Sequence, residues 1–305
     1  MRNSEWVVRN ENRHFREAGI QCFQYGINRF FMRGSPDYIQ FYPTLRCNLA
    51  CGFCFNKSML FKEDMSIRDF RIMLGRLKNI GVKTIDIIGG EPTLHRDIIA
   101  MIQESEQNYF NVNLSSNGTD PETLSQILRT TKNTTVGLSI NDWETLARLN
   151  GFIKKHRTVV KTVFNADLDY ELVEATLALR PKKYFLLYRD VMGGEERDAT
   201  VPFHRFLKTV KEKFDFASVG TVFCSGFLPD TEMHPELSRT RCPAGTTKLG
   251  VMPDGSVYPC NLFFGRQEFR LGNILSDPFG NIWNHQALTF FRSFAGNACP
   301  RTSCE

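Results

Sequence analysis

The chain has 305 residues, 42% of them hydrophobic and 23% charged, with 38 Lys and Arg against 33 Asp and Glu for a net charge of +5. That length buries a sizeable core, and so slight a basic excess gives no electrostatic case for a nucleic-acid partner. The opening residues lack the apolar core of a signal peptide, and no stretch approaches the ~20 apolar residues that span a bilayer, so neither a membrane nor secretion is expected. Nine cysteines without a secretion signal point to metal or redox chemistry in a reducing cytoplasm rather than to disulfides.

Residues 1–36 are polar and mixed, a lead-in packed on the main body, and Cys22 within them has no partner at metal-ligand spacing. A strand-then-helix rhythm begins at Asp37. Tyr38–Tyr42 reads as a strand and runs directly into Cys47-Asn48-Leu49-Ala50-Cys51-Gly52-Phe53-Cys54. Three thiolates with three and then two residues between them converge from one loop on a single inorganic core, which soft sulfur ligands favour. A closed structural site wants four ligands; three leave one metal open. The bland alternatives are a zinc knuckle or three core cysteines.

Ser66 caps a helix whose apolar face is Ile67, Phe70, Leu74 and Leu77, and Gly81 ends it. Thr84–Ile88 is the second strand, followed by Gly89-Gly90-Glu91-Pro92-Thr93 and a helix over 97–107. The third strand, Asn111–Leu114, leads through Ser115-Ser116-Asn117-Gly118 to a helix opening at Asp120-Pro121. Strands follow at 135–140, 159–164 and 184–188, each with a helix behind it; the last helix opens at Pro202. The basic run at 154–157 reads as a solvated helix end. Six such units in about 180 residues predict an α/β fold with a parallel, curved, TIM-like sheet and function at the strand C-termini.

Past Asp215 the rhythm breaks, and 216–305 is expected to be a smaller domain. Asp254-Gly255 between two alternating runs is a hairpin signal, which draws Cys242 and Cys260 together. A helix is expected around Trp283–Phe294, and the tail adds Cys299 and Cys304. Four cysteines there fit one metal site, zinc included. Cys224 is left over near the junction, as a small buried residue or as a thiol facing the substrate.

Cys47, Cys51 and Cys54 at this spacing, followed one unit later by Gly89–Pro92, resemble the radical S-adenosylmethionine (SAM) superfamily. The resemblance implies that the sheet is a partial (β/α)6 barrel over 37–215. It implies a [4Fe-4S] cluster on the three thiolates, with SAM chelated at the fourth iron. It also implies Phe53 beside the adenine, Gly89, Gly90 and Glu91 at the SAM amino group, and Ser116, Asn117 and Ser139 lining the same site. Ile140-Asn141 departs from the aspartate that many relatives carry after the fourth-strand serine. The family's chemistry is one-electron cleavage of SAM to a 5′-deoxyadenosyl radical that abstracts hydrogen, with a flavodoxin or ferredoxin as electron donor. The C-terminal stretch resembles a SPASM domain in its shortened twitch form. That implies one auxiliary [4Fe-4S] cluster on Cys242, Cys260, Cys299 and Cys304. The first expectation for the reaction is dehydrogenation of a small polar metabolite. Modification of a ribosomally made peptide is the alternative, then epimerisation with Cys224 returning a hydrogen atom; a purely structural iron–sulfur or zinc protein is the non-enzyme rival.

Overall fold

The strand ends, where chemistry is expected, are set by a few short apolar strands and well-capped helices. The computed structural model describes residues 34–54, 56, 63–188, 203–214, 218–223 and 242–293. By contact, these fall into two units, one of Asn28–Val136 with Pro243–Ala295 and one containing Gly137–Cys242.

In the first unit, β1 (Tyr38–Phe41), β2 (Thr84–Ile87) and β3 (Asn111–Ser116) lie parallel and in register, with Phe41 opposite Ile87 and Ile87 opposite Leu114. Because strand side chains alternate, Ile39, Phe41, Ile85, Ile87, Val112 and Leu114 form one face, and all six are buried. Each such burial stabilises by roughly 1.5–3 kcal/mol. Helix α1 (Ile67–Asn79) covers this face through Phe70, Met73, Leu74 and Leu77, with Phe41 and Phe70 ring centroids 5.5 Å apart. The Ser66 hydroxyl accepts from Asp69 N–H as the expected N-cap, and Gly81 takes φ +85° just past the helix end. A short 3₁₀ turn (Pro92–Leu94) and α2 (Ile98–Gln107) follow β2. Helix α3 (Pro121–Thr130) follows β3, its first turn capped by Asp120.

The opposite face carries a surprise. Gln40, Asp86 and Asn113 stand side by side across β1, β2 and β3, and all three are buried. Polar side chains are costly there, and no local pattern in the sequence marks them.

The C-terminal hairpin is part of the same sheet. Strand β8 (Lys248–Val251) pairs in parallel with β1, Tyr38 opposite Lys248, and antiparallel with β9 (Ser256–Tyr258), which pairs with β10 (Gly272–Asn273). Backbone pairing thus joins the expected C-terminal domain directly to the first strand of the βα series. The single helix expected over 283–294 is instead two short ones, α7 (Phe279–Trp283) and α8 (Ala287–Ser293). They separate because Asn284 leaves helical geometry, and the His285 ring nitrogen Nδ1 accepts from Ala287 N–H to start the second.

Strand β4 (Thr134–Ser139) crosses the boundary at Gly137, and in the second unit its residues Gly137–Ser139, β5 (Val159–Phe164) and β6 (Lys183–Tyr188) run parallel. Between them lie α4 (Trp143–His156) and α5 (Tyr170–Ala178), capped by Asp142 and Asp169. Helix α6 (Phe203–Lys213) follows β6. The run at 154–157 ends α4 as expected: three basic residues face the negative helix end, and Arg157 closes it at φ +46°. Strand β7 (Val219–Val222) extends the row in parallel beside β6. It was not among the six expected strands, although its apolar residues alternate in the required way.

A cysteine loop clasped to the ends of three parallel strands

The loop after β1 leaves Phe41 and runs alongside the chain that leaves β2. Ile88 N–H donates to Phe41 O at 2.9 Å, Gly90 N–H to Thr44 O at 3.0 Å and Glu91 N–H to Arg46 O at 2.7 Å. The approach is close enough to forbid side chains. A Cβ on Gly90 would stand 1.9 Å from Arg46 O, and one on Gly89, at φ +144°, 2.5 Å from Thr44 O. These glycines therefore fit the Gly-Gly sequence to the cysteine loop itself, a contact between segments some 45 residues apart that local sequence does not reveal.

The far end of the loop is pinned to the same place. Met65 N–H donates to Pro43 O at 2.9 Å, and Met65 O lies 2.9 Å from His95 Nε2. Asp97 N–H donates to His95 Nδ1, so that nitrogen is the acceptor and Nε2–H is the donor to Met65. Arg46 forms an ion pair with Asp64 and donates to Leu94 O at 2.7 Å. Partial burial alone would push the Asp64 carboxyl up, but the Arg46 guanidinium and the Thr44 hydroxyl together hold it below its ordinary value.

Glu91 is the hub. Its side chain is 1% exposed. Oε1 accepts from Thr93 N–H, the Thr93 hydroxyl and the Ser116 hydroxyl at 3.1, 2.7 and 2.8 Å, and Oε2 accepts from Asn117 N–H at 2.6 Å. A carboxylate with four protein donors joins the end of β2 to the end of β3. Asn117 then reaches the cysteine loop, its Nδ2 donating to Asn48 Oδ1 at 2.9 Å and lying 3.9 Å from Cys47 Sγ.

Cys47 is exposed, Cys51 and Cys54 are half-buried, and none is disulfide-bonded. Leu49 N–H approaches Cys47 Sγ at 3.5 Å, and Cys54 N–H donates to Cys51 O at 3.1 Å. Phe53 is half-exposed beside them. Among the described residues, no group of three acidic, His or Cys side chains is gathered tightly enough to chelate a single ion. Three soft donors from one loop, one exposed and two half-buried, are the donor set that a four-iron core bound by thiolates takes.

Ser139, at the end of β4, belongs to the second unit and is half-buried. Asn141, two residues on, accepts from Val163 N–H at 2.8 Å, so its side chain anchors β5. In the hairpin region Cys242 is half-buried and Cys260 buried. Cys22, Cys224, Cys299 and Cys304 lie outside the described residues.

The model of the radical SAM superfamily matches residues 41–168, and that of an iron–sulfur cluster-binding domain, SPASM, matches residues 242–305. A probable GTP 3′,8-cyclase of Methanothermobacter marburgensis is 32% identical over 252 residues, 72% of this chain and 82% of that protein. The chain belongs to the radical SAM superfamily. It is an enzyme family whose cofactors are SAM and a [4Fe-4S] cluster, and the C-terminal match adds auxiliary iron–sulfur binding in place of the zinc alternative. The mycofactocin maturase MftC of Mycolicibacterium smegmatis is 26% identical over 293 residues, 85% of this chain and 73% of that one. The crystal structure of Streptococcus suis SuiB bound to SAM superposes with a TM-score of 0.67 at 18% identity, over 94% of this chain and 72% of that one. SuiB bound to its precursor peptide SuiA gives 0.66. The superposition confirms the expected α/β partial-barrel class. No described helix is long and apolar enough to cross a membrane.

Proposed function

We propose that this radical SAM enzyme modifies a peptide. The observation that carries this reading is the similarity to a maturase along 85% of the chain, and the fold shared with SuiB, solved with a precursor peptide, supports it. It displaces the first expectation, oxidation of a small polar metabolite, in favour of the alternative.

In this reading Cys47, Cys51 and Cys54 would hold the SAM-site cluster, and Phe53, Gly89, Gly90, Glu91, Ser116, Asn117 and Ser139 would line the SAM site. When bound, the cluster and SAM would supply one-electron chemistry able to remove hydrogen from an unactivated carbon. The chain's own contribution is positional. Glu91, already committed to four donors, acts on SAM through the backbone and side chains it holds in place, and the Gly89–Gly90 contact fixes the height of the cysteine loop above the strand ends. Cys242, Cys260, Cys299 and Cys304 carry the auxiliary cluster, and Cys224 remains the candidate thiol at the substrate. A one-electron protein donor such as a flavodoxin or ferredoxin completes the system.

The test is incubation of anaerobically reconstituted protein with SAM, dithionite and the short peptides encoded beside its gene. Peptide-dependent 5′-deoxyadenosine and a mass change in one peptide are expected, with deuterium passing from labelled peptide into deoxyadenosine. A small-molecule substrate is the second reading, favoured by the 32% identity to a probable GTP 3′,8-cyclase. Deoxyadenosine formation stimulated by GTP and by no peptide would establish that reading instead.

A further inference from the structure

The side chain of Asn117 is oriented by its neighbours. Thr119 N–H and the Thr119 hydroxyl both donate to Asn117 Oδ1, at 2.9 and 2.7 Å. A backbone N–H can only donate, so the carbonyl oxygen must face Thr119 and the NH₂ must face the opposite way. There it meets Asn48 Oδ1 at 2.9 Å and Cys47 Sγ at 3.9 Å. Asn48 is held in turn, its Nδ2 donating to the Thr119 hydroxyl at 2.9 Å. The Asn117 backbone is fastened to buried Glu91. Cys47 Sγ thus faces two N–H donors, Leu49 from within its own loop and Asn117 from the end of β3.

We infer that Asn117 is a positioning residue that donates to the Cys47 thiolate and thereby raises the reduction potential of the cluster at Cys47, Cys51 and Cys54. The inference rests on the assignment of those three cysteines as cluster ligands. A donor to a thiolate draws charge from the sulfur and favours the more negative, reduced state. The step concerned is the gain of one electron by the cluster, from the 2+ to the 1+ charge, with the electron supplied by an external one-electron reductant. Glu91 then influences that step through two links, its oxygen to Asn117 N–H and the Asn117 amide to Cys47. That gives the buried carboxylate a part in the chemistry besides the place at the SAM amino group that the family resemblance implies for it.

Asn117→Asp is nearly isosteric and keeps an oxygen toward Thr119 N–H, but it replaces the donor with an acceptor. Reconstituted wild type and variant would be titrated under reducing dyes, following the EPR signal that changes when SAM is added; this separates the site cluster from the auxiliary one. The expected result is a three- to tenfold fall in the reduced-to-oxidised ratio at a fixed potential, about 30–60 mV for one electron. Asn48→Leu leaves Asn117 and all cysteines in place and removes the acceptor that aims the amide, together with the Asn48 donor to the Thr119 hydroxyl, so a smaller shift in the same direction is expected. An unchanged potential in either variant that still carries the cluster overturns the inference, as does lower iron content with an unshifted potential in the cluster that remains. Absence of any SAM-sensitive cluster in wild type would overturn the ligand assignment itself.

Discussion

The cysteine loop and the C-terminal hairpin both carry cysteines beside β1, yet they are held by opposite means. Around the loop the contacts are distant in sequence: Asn48 meets Thr119, Asn56 donates to Gly89 O, and Arg46 reaches both Asp64 and Leu94. Within the hairpin's turn they are local. Asp254 accepts from Ser256 N–H and its hydroxyl, and Gly255 N–H donates to Met252 O. The hairpin follows from turn chemistry that any short peptide carries. The loop has its shape only after three strands have assembled, so its geometry is as secure as the fold and as sensitive to it.

The largest break in that contrast is Gly90→Ala. Its methyl would overlap Arg46 O, a backbone atom with no room to yield. A cost of roughly 4 kcal/mol or more is expected, with the SAM-site iron missing on analysis while the hairpin's own turn is untouched.

Glu91→Ala comes next. It leaves the Ser116 and Thr93 hydroxyls, which can turn elsewhere, and two backbone N–H groups without their acceptor. At ~1–3 kcal/mol for each buried group left unsatisfied, about 3 kcal/mol of stability should disappear in denaturant titration. SAM binding, measured by calorimetry on reconstituted protein, should weaken as the β3 end drifts.

Gly255→Ala tests the local half. At φ +81° a side chain is strained by ~1–2 kcal/mol, and its Cβ would meet Asn273 Oδ1 at 2.6 Å. The unfolding midpoint should fall, while deoxyadenosine release from SAM and dithionite alone persists. Loss of that release would show that the loop depends on the hairpin.

The smallest effect is that of pH on the loop's clasp. The folded Asp64 carboxyl titrates below its ordinary value. Its contribution is therefore present above the unfolded carboxylate range, about pH 4, and is lost as pH falls through the folded value. With Arg46 51% and Asp64 23% exposed, that contribution is at most ~1 kcal/mol. Asp64→Asn should remove the acid-side part of the stability curve that wild type shows, and should flatten nothing above neutrality.

Much of this was legible in the chain. Ser66, Asp120, Asp142 and Asp169 cap helices because a short polar side chain before an apolar run can reach the first free N–H groups. The spacing of Cys47, Cys51 and Cys54 and the Gly89–Pro92 string likewise stand in local order, and they carry the resemblance to the radical SAM superfamily. Strand β7 was readable from its alternation but was obscured by the end of the βα rhythm just before it.

What the sequence by itself determined were most of the elements and the family, since capping, periodicity and cysteine spacing act over a few residues. Tertiary structure alone decided partners that stand tens of residues apart. It spent Glu91 on Ser116 and Asn117, set Gly89 and Gly90 against Thr44 and Arg46, placed β8 beside β1, and lined up Gln40, Asp86 and Asn113 in one buried row. None of these follows from local propensity, because register between parallel strands is fixed by the packing of whole apolar faces, and the polar groups meet wherever that register puts them.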